Sequence, residues 1–345
     1  GTTELERLFA QISALLRERL TPYADNSLAP WAPEVFALDA TTLDAMARKL
    51  PALREVPAGD SRLLPGKLAG LFDVRRQQWR RLRHVANPHE NDKVVAAELV
   101  AELPVGSLIL ADLGYFAFAW FDALTDRGYH WLSRLRNKTS YETLHVFYQD
   151  RWVVDAIVWL GAYRADRAAH AVRLVSLRLG DRTYQYVTNV LDPLQLTPLA
   201  IVRLYGRRWD IEMAFNLVKT HLGLHLLWSS KLGVILQQVW AVLIISQILQ
   251  ALHLEIAGRA GVDPAEVSMA LLVQSLPFFA QRGQDPVAFF VERGRAAGLI
   301  RPSRRIQRQA PAVPPDQIQP LPPDLPLRRT PRYAQRKCGR GAERE

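Results

Sequence analysis

The sequence has a single cysteine, Cys338, so it offers neither a disulfide framework nor a thiolate metal cluster, and it suits a reducing cytoplasm. A long uninterrupted apolar run is also missing. The most apolar segment, Leu232–Ile256, is broken by Gln237, Gln238, Ser246, Gln247, Gln250 and His253, which marks a buried helix rather than a membrane span. No stretch joins a basic start, an apolar run and a small-residue cleavage site, so nothing reads as a secretory leader. The first residue is Gly rather than Met, and it opens directly into an amphipathic helix, Leu5–Leu20; a truncated or processed start is expected.

Acidic side chains are outnumbered. Against 34 Asp and Glu stand 44 Lys and Arg, a net charge of +10 and a pI near 9.9, which favours an anionic partner such as nucleic acid or a membrane surface. The excess is concentrated: residues 301–345 hold eleven Lys or Arg, four Asp or Glu and nine of the 22 prolines. Such a segment is expected to be solvated and disordered. The remainder, in a chain of 345 residues that is 49% hydrophobic, suffices for one large α/β domain with an insertion or for two domains.

Along the chain, Val35–Asp39 (VFALD) reads as a short buried strand that ends on an acid, followed by strands Lys67–Val74 and Trp79–Val85. A helix over Lys93–Leu103 leads to a second apolar strand that ends on an acid, Leu108–Asp112 (LILAD), then a helix over Phe116–Thr125 and a strand over His130–Arg136. From Thr143 to Leu191 the pattern is almost wholly strand-like. Thr197-Pro198 then caps a helix that should run to about Leu222, just before Gly223.

That last helix carries the sharpest local pattern. Tyr205, Arg208, Glu212 and Lys219 recur at spacings of three, four and seven, which returns them to one side of a helix as a polar stripe. Leu204, Ile211, Phe215, Val218 and Leu222 form an apolar stripe beside it. Taken alone, Arg208 and Glu212 could be an ordinary surface ion pair. Asp39 and Asp112 change the weighing, because an acid at the end of a buried strand serves no packing purpose and sits where α/β sheets present catalytic groups. Three carboxylates brought together repel one another unless a divalent cation compensates, and oxygen donors without Cys or paired His select Mg²⁺ or Mn²⁺.

Tyr205-x2-Arg208-x3-Glu212-x6-Lys219 resembles the Y-R-E-K signature of the DDE transposases of the insertion-sequence-four family. Phe36–Thr42 (FALDATT) is similar to the segment bearing that family's first Asp, and Leu110–Phe116 (LADLGYF) to the segment bearing its second. The resemblance covers roughly residues 34–258 and implies a ribonuclease H-like α/β core with a mixed sheet, a β-rich insertion before the Glu-bearing helix and a helical C-terminal part. It further implies divalent-metal-dependent DNA cleavage and strand transfer at element ends, with Asp39, Asp112 and Glu212 as catalytic metal ligands. Tyr205, Arg208 and Lys219 would contact DNA, the last two by clamping phosphates. A homodimer on paired terminal inverted repeats is implied as well, in the cytoplasm at the nucleoid, with no membrane and no small-molecule substrate. One departure stands out: the family often has Arg after the second Asp, and here that position is Leu113. The alternative Asp126, in Asp126–Tyr129, lies in the turn after a helix and is set aside for Asp112. Two rivals remain, an inactive DNA-binding remnant and a plain metal-dependent nuclease.

The expected layout is a helical segment over 1–33, the first part of the core over 34–140, the β-rich insertion over 141–194, the Glu-bearing helix with a following core helix over 195–260, a helical part over 261–300 and the basic tail over 301–345. Weaker signals have plainer explanations. His84, His89, Glu90 and Asp92 fit no zinc spacing, and Asn91 or Asp92 is better read as a helix cap. Trp152 and Trp159 could stack on a displaced base, though core packing is the favoured role. Arg134, Arg136 and Lys138 could line a DNA channel, and Arg304, Arg305, Arg308 and Arg336-Lys337 would add salt-dependent DNA affinity.

Overall fold

The computed structural model describes residues 1–22, 28–43, 54–57, 66–87, 90, 92–162, 166–224, 226, 229 and 231–329. His89, Asn91, Arg336, Lys337 and Cys338 lie outside the described residues. Two compact units form, each from stretches separated in sequence. The first comprises Gly1–Leu28, Glu34–Leu103 and Gly206–Arg308; the second comprises Ala29–Pro33, Pro104–Tyr205 and Gln309–Glu345.

The first unit is built on three antiparallel strands, β1 (Val35–Thr42), β2 (Lys67–Asp73) and β3 (Gln78–Val85), paired in the order β3-β2-β1. Every residue of β2 is buried, and so are Val35–Leu38 of β1; this is what continuous apolar runs produce when both faces of a sheet are covered. The cover comes from helices. Helix α1 (Thr2–Arg19) packs on β3, and α2 (Asp92–Leu99) packs on β2 and β3. The expected helix over Lys93–Leu103 thus ends a turn early, where Val100 and Leu103 close it through bonds to Ala96 and Val100 carbonyls.

The longest helix belongs to this unit and is numbered α6 in chain order (Leu232–Ala260). By length and composition it could cross a membrane. Here Trp240, Leu243, Leu249, Leu254 and Ile256 are buried in the core, against α1 and β3 among others. Its glutamines explain why an apolar helix carries amides. Gln247 accepts from the Trp79 backbone N–H (2.9 Å), donates to the Trp79 carbonyl (2.9 Å) and donates to Ser13 Oγ on α1 (2.7 Å). One buried side chain therefore satisfies both backbone groups of a β3 residue, which would otherwise cost about 1–3 kcal/mol each. Helices α7 (Met269–Arg282) and α8 (Pro286–Arg293) complete the unit, capped by Ser268 and Asp285.

The second unit holds six strands in the order β4-β5-β9-β8-β7-β6. β4 (Leu108–Ala111) and β5 (His130–Arg134) are parallel and joined through α3 (Phe118–Asp126). β5 pairs antiparallel with β9 (Arg182–Thr188), and β8 (Val172–Leu179), β7 (Val153–Leu160) and β6 (Tyr141–Gln149) follow as antiparallel neighbours. The β-rich block thus extends the sheet that β4 and β5 begin. Trp159 is half-buried in a cluster around Phe147 and Ile157, whereas Trp152 is exposed with Arg151 stacked on it at 4.8 Å; core packing describes the first and not the second.

Composition led to the expectation of a solvated segment over 301–345. Residues 309–329 instead lie along the second unit. Gln319 N–H bonds the Phe147 carbonyl (2.8 Å), Ala171 N–H bonds the Leu327 carbonyl (2.8 Å) and Arg329 N–H bonds the Ala169 carbonyl (2.8 Å). Ile318, Leu321, Leu325 and Leu327 pack on Phe147, Ile157 and Ala171. Apolar residues spaced among prolines need no regular element to bury; extended backbone suffices.

Candidate active site

Asp39 lies within β1, opposite Gly70 of β2, and the strand continues through paired Ala40, Thr41 and Thr42 rather than ending on the acid as expected. Asp39 is half-buried, and Oδ1 accepts the Ala40 backbone N–H at 2.8 Å. Gly70 keeps this place narrow: a Cβ there would stand 2.8 Å from Trp79 Cζ3 and 2.9 Å from Leu82 Cδ2. Asp112 immediately follows β4 in the second unit, half-buried, at the start of a single 3₁₀ turn, Leu113–Tyr115. The position after it, Leu113, has its carbonyl bonded by the Arg136 guanidinium at 3.0 Å, and the same guanidinium lies 5.4 Å from the Phe116 ring centroid. Arg136 is thus tied to the loop that bears Asp112, while Arg134 lies over Tyr184 at 5.6 Å. Lys138 is exposed with φ 63°.

The expected single helix from Thr197 to Leu222 is divided. Helix α4 (Pro198–Arg207) is followed by a turn residue, Arg208, then by α5 (Trp209–Asn216) and a π-helical segment, Leu217–His221. The wider π turn closes with Leu222 N–H on the Leu217 carbonyl (2.9 Å), and Gly223 at φ 68° ends it. Sequence spacing misses this division because the junction residues Arg208, Asn216 and Leu217 stay in right-handed helical conformation while the hydrogen-bond register changes.

The stripe is accordingly broken into parts with different surroundings. Tyr205 is buried in the second unit, its ring 5.3 Å from that of Tyr186 in a T-shaped contact, so it is a core residue rather than a rim residue. Arg208 and Glu212 belong to the first unit and form an ion pair at 2.6 Å, with side-chain exposures of 7% and 30%. The pair is thus partly buried, on the Arg208 side more than on the Glu212 side. Lys219 sits in the π segment with Nζ 5.7 Å from the Phe215 ring centroid. Helix α5 packs directly on β1 and β2, so the structure brings the helix of Glu212 against the strand of Asp39. Asp112 is carried by the other unit.

Among the described residues no group of three or more His, Cys, Asp or Glu side chains is arranged to hold a metal ion. The donor chemistry of Asp39, Asp112 and Glu212 nonetheless fits a hard divalent cation, being wholly carboxylate. Asp126, the competitor of Asp112, is engaged elsewhere: its Oδ1 meets His170 Nε2 at 2.9 Å and Arg328 at 3.2 Å on the exposed end of α3. Lys67, buried, is paired with the Asp92 carboxylate and bonded to the backbone carbonyl of Glu90, which accounts for Asp92 in the His84–Asp92 cluster without a metal.

Sequence reasoning missed a buried polar group beside Glu212. Asp210 on α5 is 3% exposed and paired with Arg305, and it accepts from Gln77 Nε2 at 2.8 Å. Arg207 is bonded to Asp263 in bidentate fashion, 2.9 Å for each arm. The only local signal was the i,i+3 spacing of Arg207 and Asp210. His253 is buried nearby with Nε2 on the Val267 carbonyl at 2.9 Å, and burial pushes its pKa below the ordinary value.

A buried strand carrying an acid, a second strand leading directly to one, and a glutamate on a helix packed against the first define a mixed α/β protein that presents carboxylates from its sheet strands and from one helix. The chain belongs to the transposase DDE domain family, whose model matches residues 30–248. No curated protein matches the sequence. A solved structure with some likeness is described as a cryo-EM structure of piggyBac transposase synaptic complex with hairpin DNA, at a TM-score of 0.43 and 9% identity, covering 84% of this chain. The chain spans 60% of the length of that protein chain.

Proposed function

We propose that the protein is a DNA transposase that cuts and rejoins the ends of an insertion element, on a ribonuclease H-like core of the insertion-sequence-four type. Membership of the transposase DDE domain family is the observation that carries this reading, since the matched span, residues 30–248, includes Asp39, Asp112 and Glu212. These three carboxylates would hold Mg²⁺ or Mn²⁺. Such an ion, when bound, supplies activation of a water or a 3′-hydroxyl and neutralises charge on the phosphodiester.

The chain's own residues do the rest. The position of α5 on β1 sets Glu212 relative to Asp39. Arg208, held at 2.6 Å from Glu212, balances that carboxylate and offers a guanidinium to a phosphate of the element end. Lys219 adds a point charge toward the same backbone. The protein would act as a homodimer on two terminal inverted repeats, in the cytoplasm at the nucleoid, with salt-dependent affinity from its basic surface.

A strand-transfer assay with Mg²⁺ and DNA bearing the element's ends tests this. Joined products from the wild-type protein that vanish in Glu212→Gln support the reading. Tight binding without cleavage in any divalent ion would sink it in favour of an inactive remnant, and cleavage without joining would make the protein a nuclease.

A further inference from the structure

Asp210 precedes Glu212 by two residues on α5, and three separate segments converge on it and its neighbour Arg207. The β2–β3 turn contributes Gln77, whose amide donates to Asp210 Oδ2 at 2.8 Å and to the Val74 carbonyl at 2.8 Å. Gln77 holds φ 52°, a left-handed conformation that costs a residue with a side chain about 1 kcal/mol or more and persists where surrounding bonds over-determine it. The C-terminal segment contributes Arg305, paired with Asp210 Oδ1. Arg207 stands 3.7 Å from Asp210 and is locked by both oxygens of Asp263. Asp263 is itself fixed, since it accepts the Ala265 N–H at 2.7 Å and forms a capping box with Glu266.

Packing does not fix α5 in the same way on that side. Met213, Ala214 and Leu217 border a cavity of about 270 Å³, whose wall also includes Gln77, Asp210 and Arg305. A side chain that borders a cavity has fewer contact partners there, so packing restrains α5 less on this side than on the face that meets β1 and β2. At its end α5 runs straight into the π segment Leu217–His221, where the regular helical bonding that would stiffen it gives way. The polar hold on this side of α5 is concentrated at Asp210, and it adds to the buried contacts of Ile211 and Phe215, whose ring lies 4.7 Å from that of Trp79.

We infer that Asp210 and Arg305 are positioning residues for Glu212: the buried Gln77–Asp210–Arg305 junction, closing one wall of the cavity behind α5, fixes the helix that carries the glutamate. This rests on the transposase reading above. The assigned role is indirect, since Asp210 and Arg305 act through α5 and touch no reacting atom.

The test uses the whole protein and two readouts. Hydrogen exchange of the amides of residues 209–216 reads the helix without reference to activity, and Arg305→Met should accelerate it by about tenfold or more while distant helices are unchanged. Single-turnover cleavage at saturating DNA should fall by about 10²-fold, the scale of a misplacement of about 1 Å, with KM for DNA unchanged and a higher Mg²⁺ concentration at half-saturation. Arg305→Lys, which keeps the charge at a side chain one-third exposed, should restore much of both. Asp210→Asn should resemble Arg305→Met, and the double variant should be no worse than the poorer single one, because both break one junction. Unchanged exchange in α5 together with weaker, more salt-sensitive DNA binding would assign Arg305 to a phosphate contact and overturn the inference. Faster exchange with unimpaired cleavage overturns it too. A wild-type protein that does not cleave at all refutes the transposase reading itself, and the positioning role falls with it.

Discussion

Replacing Glu212 by Gln keeps its size and shape and removes one negative charge, and the geometry of its pair with Arg208 sets how much stability that should cost. The two side chains meet at 2.6 Å with exposures of 30% and 7%. An exposed pair contributes about 0–1 kcal/mol, whereas breaking a fully buried one costs about 3–5 kcal/mol. Nearly a third of Glu212 is in solvent, and a glutamine oxygen can still accept from Arg208, so the loss should be about 1 kcal/mol. A catalytic metal ligand is another matter. Its loss should lower cleavage by about 10³-fold or more, equivalent to about 4 kcal/mol of transition-state stabilisation. The two effects differ enough to be separated on one preparation: thermal unfolding should shift by a few degrees, while cleavage of DNA bearing the element's ends should all but disappear. Retention of cleavage within about tenfold of wild type, in a variant that melts as expected, would refute the assignment of Glu212.

Three further outcomes probe the scaffold. Asp155→Ala should destabilise by about 3–5 kcal/mol, because Arg173 is wholly buried and spends two arms on Asp155 at 2.7 and 2.6 Å and a third on the Leu196 carbonyl at 2.7 Å; denaturant midpoints check this, and a loss under about 1 kcal/mol would mean the guanidinium finds water. Gly70→Val should cost about 1–3 kcal/mol, since its Cβ would press on Trp79 and Leu82 at 2.8 and 2.9 Å, and a wild-type melting temperature would contradict that. Burial holds His253 below its ordinary pKa of 6.5, so the unfolded chain takes up a proton that the folded one resists. Its contribution to stability is therefore full above about pH 6.5 and is lost as pH falls below that value. His253→Gln should flatten the stability profile below about pH 6.5, and an unchanged slope would place the acid sensitivity elsewhere.

Much of the candidate site could be read from the sequence because Asp39 and Asp112 directly follow short, strongly patterned apolar runs. Val35–Leu38 and Leu108–Ala111 are apolar runs buried without exception, so an acid following each stands out. The β1-β2-β3 ladder was legible for the same reason. The junction at Asp210 was not, because its partners lie far away in sequence: Gln77 is 133 positions off and Arg305 is 95. No periodicity encodes such pairings. The polar stripe was legible only in part, since Arg208 and Glu212 are one turn apart whereas Lys219 lies beyond a change of hydrogen-bond register. The C-terminal segment misled through composition: charge and proline dominate its average, while Ile318, Leu321, Leu325 and Leu327 decide where it lies.

The interleaving of the two units bears on any attempt to make a smaller protein. The span shared with the family stops at residue 248, midway along α6, which continues to Ala260. A fragment trimmed to that boundary would keep all three acids yet lose His253, Asp263 and Arg305, and with them the ion pairs of Arg207 and Asp210 that reach past the cut. The limit of family likeness is a statement about descent. The contacts of the second unit run later in the chain, to Leu327, whose carbonyl closes against Ala171, and to Arg329, whose N–H closes against Ala169.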